Sequence, residues 1–195
     1  ESDESIPKTS IGAQELILAL LKERAETGRI YIMNIDHCNS HSSFIDKVEM
    51  SNLCQEITLP TKPIQHIDDD SGEIALCILS AINIGKIRDV SDLKSLCDLS
   101  VRSLDELIDF QGYPVEAAEI ATKARRSLGI GYIGLAHYLA KQGVKYGDPK
   151  AWELVHDLTE AFQYHLIEST VNLAKEKGAC ESVSYTHLRA HETQT

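Results

Sequence analysis

Apolar residues recur at three- and four-residue spacing along much of this chain, a period that predicts helices. Leu16, Ile17, Leu20 and Leu21 form such a stripe within Ile11 to Thr27, with Ser10 as the expected N-cap and Gly28 as the stop. The pattern returns after Ser91. Leu93, Leu96, Cys97, Leu104, Leu107 and Ile108 fall on one face, and Gly112 and Pro114 end that helix. A further helix is expected from about Val115 to Ser127, and another over Ile133 to Lys141. A long last one runs from Lys150 to Lys177, with Leu154, Leu158, Phe162, Leu166 and Leu173 aligned and Gly178 beyond them.

Between the first helix and the later ones the pattern changes. Arg29 to Asn34 reads as a strand, whereas Asp36 to Ser43 and Asp68 to Gly72 read as polar loops. Pro60 and Pro63 forbid a helix after Ser51 to Leu59 and favour an extended path. Glu73 to Ile84 is an almost unbroken apolar run. Its isoleucines and the following Gly85 favour a strand buried on both faces, as in a parallel sheet. Helix, strand, loop, strand and then helices suit an α/β class.

Composition narrows the function more than the fold. A chain of 195 residues, 43% hydrophobic and 25% charged, is an ordinary globular domain. A net charge of -11 excludes a protein that grips nucleic acid through its phosphates, but leaves small phosphorylated ligands open. No apolar run approaches the roughly 20 residues that span a bilayer, so no membrane partner is expected. The polar start, ESDESIPKTS, is not a signal peptide and lacks Met. The chain is therefore expected to be cytoplasmic and to begin inside a longer protein. Five cysteines (Cys38, Cys54, Cys77, Cys97 and Cys180) do not read as a disulfide framework. Cys97 falls on an apolar helix face and reads as core. Val183 to Thr193 has none of the preceding helical logic and resembles a translated sequencing adapter, so residues 183–195 are set aside as a non-native tail. Its His187 and His191 carry no metal-site argument.

The chemistry concentrates in Asn52, Cys54 and Glu56. In an extended chain, alternate side chains share a side, so an amide, a thiol and a carboxylate would line one face over roughly 13 Å. On a helix, Cys54 would lie about 200° from Asn52. Taken alone, the spacing is a weak signal, and a loop with a small buried cysteine accounts for it better.

The surrounding blocks add what the spacing lacks. GRIYIMNIDHCNSHSSF, SNLCQEITLPTKP, SGEIALCILSAINIG and RRSLGIGYIGLAHYLAKQG, in that order, resemble the active-site region of class I ribonucleotide reductase large subunits. The resemblance covers roughly residues 10 to 181. It implies that residues 1–182 are a partial catalytic domain, a fragment of a ten-stranded α/β barrel whose finger loop carries a radical cysteine, with a helical C-terminal half. Cys54 matches the cysteine that becomes a thiyl radical and removes the 3′-hydrogen of the substrate ribose. Glu56 matches the general base for the 3′-hydroxyl, and Asn52 the amide that binds and orients the substrate. Cys77 matches one of two thiols that supply electrons by closing to a disulfide, its partner lying outside the chain.

The resemblance also implies partners: a ribonucleoside diphosphate, a radical-generating small subunit with a metal cofactor, thioredoxin or glutaredoxin as reductant, ATP or dNTP effectors, and a homodimer. None of these cofactors is expected to bind the fragment, which is expected to be inactive alone and unstable. The alternatives are a cobalamin-dependent reductase and a non-enzymatic helical interaction module.

Four other motifs have plainer readings. Gly129 to Gly134 satisfies G-x-G-x-x-G, but a helical stretch precedes it where a dinucleotide fold needs a strand, so its glycines read as permitting close helix packing. His37, Cys38 and His41 lack the second ligand pair of a closed zinc site and read as a structured loop. Pro60 and Pro63 read as a rigid exit from the loop that carries Cys54, and Asp68 to Asp70 as a solvated turn.

Overall fold

The computed structural model describes residues 7–42 and 44–182. The expected non-native tail at 183–195, with His187 and His191, lies outside them, and so does Ser43.

The elements run α1 (Ala13–Thr27), α2 (Ile35–Ser40), β1 (Ile78–Asn83), a 3-10 turn at Ile84–Lys86, α3 (Asp92–Phe110), α4 (Glu116–Arg125), β2 (Leu128–Ile133), α5 (Leu135–Lys141) and α6 (Pro149–Lys177). The molecule mixes helix and strand as an α/β protein. Its sheet, among the described residues, is an open parallel pair in which Ile78 faces Leu128 and Asn83 faces Ile133.

The amphipathic helices are where their spacing put them. α3 buries Leu93, Cys97, Val101, Leu104, Asp105 and Ile108, the i, i+4, i+8 stripe that an apolar face requires. Across from it, α6 presents Leu158 and Phe162, and Cys97 sits in the seam with its sulfur 3.9 Å from the Phe162 carbonyl. Tyr132 of β2 stacks edge-on against Phe162 at 5.4 Å, which joins sheet and helices into one core. Gly178 ends α6 as expected. At α1, Gly28 takes a left-handed φ of 68° and returns its N–H to Arg24. The cap at the other end of α1 is Gly12, not Ser10, and no side chain serves it.

Four expectations need correction. Arg29 to Asn34 pairs with no strand among the described residues. The polar stretch after it is helical over Ile35–Ser40, because Asn39 stabilises the turn from within. Its Nδ2 donates to Ile35 O at 3.0 Å and to Val48 O at 2.8 Å, and its Oδ1 accepts from Val48 N at 2.8 Å. That amide does for Val48, which is 1% exposed, what a neighbouring strand would do. Third, β1 is buried on one face only. Ile78 and Ile82 point into the core, while Leu79, Ala81 and Asn83 are exposed. Fourth, the segment read as glycine-assisted helix packing is β2 itself.

Candidate active site

Cys54 is not carried on a pleated strand. Gln55 N donates to Asn52 O at 3.1 Å and Gln55 has φ of 59°, so residues 52 to 55 close a tight turn with Leu53 and Cys54 at its tip. Asn52 holds the turn shut a second time, its Oδ1 accepting from Ile57 N at 3.1 Å. Ser51 Oγ lies 2.7 Å from Ile57 O and 3.1 Å from Asn52 Oδ1. Asn52 is thus first a loop-fixing residue, and the alternation argument for one shared face does not describe this geometry. A short polar side chain that bonds its own backbone is the usual competitor of extended structure, and here it prevails.

The turn nevertheless groups the chemistry. Cys54 and Glu56 are both exposed, and Cys77 is exposed just before β1 begins. Crowding around its sulfur, joined by negative charge on Glu56 and on Cys54, pushes the Cys77 thiol up from its ordinary 9.0. Two grooves flank the group. One, of about 510 Å³, is lined by Met50, Asn52, Ile57, Pro63, Ile64 and Cys77 among others. The second, about 610 Å³ and wide open, lies over the exposed sheet face, with Glu56 and Ile57 above Leu79, Ala81, Gly129 and Gly131.

The loop's exit is braced by ions. Lys62 and Glu73 pair through an isolated antiparallel bridge and through their side chains, and Arg125 of α4 bonds the same carboxylate. Arg125 also reaches Asp46 at 3.2 Å. Burial pulls Glu73 upward, yet the hydrogen bonds from Lys62 and Arg125 outweigh it and hold the carboxyl below its usual range. Pro60 is fully buried at this exit, as a rigid path from the loop requires. Asp69, expected in a solvated turn, is 8% exposed and organises the turn instead. It accepts from Ser71 Oγ at 2.5 Å, Gln65 N at 2.8 Å and Ser71 N at 2.9 Å, which lowers its pKa to about 2.

Sequence reasoning missed Glu73 and Arg125, 52 residues apart, because no local pattern links them. It also missed the junction behind the sheet. Gly134 begins α5 at φ of 82°, and a Cβ there would sit 2.6 Å from Asn83 Oδ1. Lys141 of α5 closes the same corner with 2.9 Å to Ile87 O. Among the described residues no group of three or more His, Cys, Asp or Glu is placed to hold a metal, and His37, Cys38 and His41 lie on or beside α2.

The structure thus places a thiol on a tight turn near a carboxylate and near a second thiol at the start of a parallel strand, on an α/β scaffold. The family model for the ribonucleotide reductase barrel domain matches residues 1–195, and the chain belongs to that family. It is 56% identical over 189 residues to the ribonucleoside-diphosphate reductase subunit alpha of Haemophilus influenzae, an alignment covering 95% of this chain and 25% of the relative. The corresponding figures are 52% over 183 residues for Escherichia coli reductase 1 subunit alpha, covering 92% and 24%. For the subunit alpha of phage T4 they are 42% over 191 residues, covering 95% and 24%. The chain thus spans about a quarter of the length of these relatives.

Proposed function

We propose that residues 1–182 are a partial catalytic domain of a ribonucleoside-diphosphate reductase large subunit, contributing part of a ten-stranded barrel with the Cys54 turn as its finger loop. The observation that carries this is the convergence of Cys54 and Glu56 on Cys77, across 23 residues, between two grooves, one lined by Cys77 and the other, over the parallel sheet, by Glu56.

In this reading Cys54, as a thiyl radical, takes the 3′-hydrogen of a ribonucleoside diphosphate. One S–H bond forms as one C–H bond breaks, and similar bond strengths let the hydrogen return at the end. Glu56 accepts the 3′-hydroxyl proton while the 2′-hydroxyl leaves as water. Cys77 and a thiol outside this chain close to a disulfide and give up two hydrogens, which balances the loss of one oxygen as water. Asn52, with its oxygen committed to the turn, has its Nδ2 hydrogens for the substrate.

The radical source is a metal cofactor in a separate small subunit, a reading that the relatives' designation as alpha subunits supports over a cobalamin-dependent reductase. ATP and dNTP effectors, thioredoxin or glutaredoxin, and a second large subunit act on parts of the protein outside this chain, in the cytoplasm. No helix among the described residues is long and apolar enough to cross a membrane.

Cys54→Ser in the full-length protein abolishes nucleotide reduction and leaves nucleoside-diphosphate binding intact, read by turnover and by equilibrium binding. Near-normal reduction by that variant refutes the assignment.

A further inference from the structure

Thr122, on the inner side of α4, is 5% exposed, and its hydroxyl is the buried side-chain polar atom left without a hydrogen-bond partner among the described residues. A threonine inside a helix ordinarily turns its hydroxyl onto the carbonyl four residues back, here that of Ala118. It does not do so. The residue lines a cavity of about 10 Å³ together with Leu59, Ala75, Leu76, Arg125 and Ser127. That volume is about one water-sized sphere, the least room in which a single molecule fits.

The walls also meet the second requirement for a buried water, which is polar company. A void lined by hydrocarbon alone stays dry, whereas this one has two hydroxyl-bearing residues, Thr122 and Ser127. Leu59, Ala75 and Leu76, from two irregular segments, line it as well. The Arg125 guanidinium is already engaged with Glu73 and Asp46, so it does not serve the Thr122 hydroxyl.

We propose that this cavity is a binding site for one ordered water molecule, held by the Thr122 hydroxyl and the polar groups of the three segments that meet there. Those segments are the exit of the Cys54 loop, the approach to Cys77 and the last turn of α4. The water adds a link among them beside the direct ones, which are the Lys62 and Glu73 bridge, the Ile74 N–H donated to Ala117 O at 3.0 Å, and the Glu73 and Arg125 ion pair.

Crystal structures of the full-length protein as wild type, Thr122→Ser and Thr122→Val, at a resolution that shows ordered solvent, test the site. The expected result is a density peak within hydrogen-bond reach of Thr122 Oγ1 that survives in the serine variant and vanishes in the valine variant. Thr122→Val also lowers the unfolding midpoint, since the water loses a partner. A hydroxyl turned onto the Ala118 carbonyl over a dry cavity overturns the proposal. So does a raised midpoint in Thr122→Val, which is what removal of a truly orphaned hydroxyl produces. If the valine variant does not accumulate, the wild-type and serine maps decide alone.

Discussion

Cys77 is the residue at which structure and chemistry meet most directly. Its raised pKa means that, at any pH below that value, less thiolate is present than on an ordinary cysteine. Burial of the sulfur is the largest cause, followed by the charges of Glu56 and Cys54. Removing one charge therefore lowers the pKa and raises the thiolate fraction at fixed pH. Glu56→Gln accelerates alkylation of Cys77 by ~2-fold when each cysteine is followed by mass spectrometry. An unchanged rate at Cys77 would show that the turn does not hold Glu56 beside it. The sequence made the members of this group legible, since an amide, a thiol and a carboxylate within five residues stand out. It did not make their arrangement legible. Asn52 bonds its own loop, and that preference is decided by a side chain competing with backbone, below the reach of a pattern argument.

Among the elements, the long helices and β1 announced themselves and β2 did not. The stripes of α3 and α6 are long enough for periodicity to dominate, and both ended within a few residues of their expected bounds. β2 was hidden because glycine occupies two of its six positions, Gly129 and Gly131, both beside β1 residues of the exposed face. With glycine at two of the three positions on one face and Ile133 at the third, the alternation that marks a strand is lost. The α2 segment failed for the opposite reason, its helical turn being short and fixed by Asn39 reaching Val48, nine residues on. The glycines at this end of the sheet differ in what they do. Gly134 combines φ of 82° with a neighbour at 2.6 Å, so Gly134→Ala costs about 2–3 kcal/mol by strain and displacement of Asn83. At Gly131 nothing lies within 4 Å of an added Cβ, so Gly131→Ala leaves stability within about 0.5 kcal/mol of the parent. Urea unfolding of the two variants in the full-length protein checks the contrast, and equal losses would count against it.

At the scale of the molecule, charge and apolar surface tell different stories. One ionic cluster is complete: Asp105, 6% exposed on α3, takes Arg126 at 2.6 Å and Lys177 at 2.9 Å, tying α3 to the ends of α4 and α6. Burial raises the Asp105 pKa and the two cations more than offset it, leaving the carboxyl below its usual range. The apolar surface is incomplete. No residue of α1 is buried, its Leu16, Ile17 and Leu21 being about half exposed, and Leu79 stands open on the sheet face. Such faces are stable only when covered. The 195-residue chain prepared alone is therefore expected to bind hydrophobic dyes, to associate, and to show no nucleotide reduction. A soluble monomer with one sharp unfolding transition would contradict this. The family match and the quarter-length coverage of the relatives accord with surfaces that other parts of a longer chain could cover.

The four hydrogen bonds that shape the Cys54 turn begin and end between Ser51 and Ile57. A motif that carries its own fastenings behaves as a cassette. Cut out and closed head to tail as a small cyclic peptide, those seven residues should keep their bend, whereas the position of the sulfur relative to Cys77 belongs to the scaffold. Chemists wishing to vary the Cys54 thiol can therefore redesign the cassette and its mounting as separate problems.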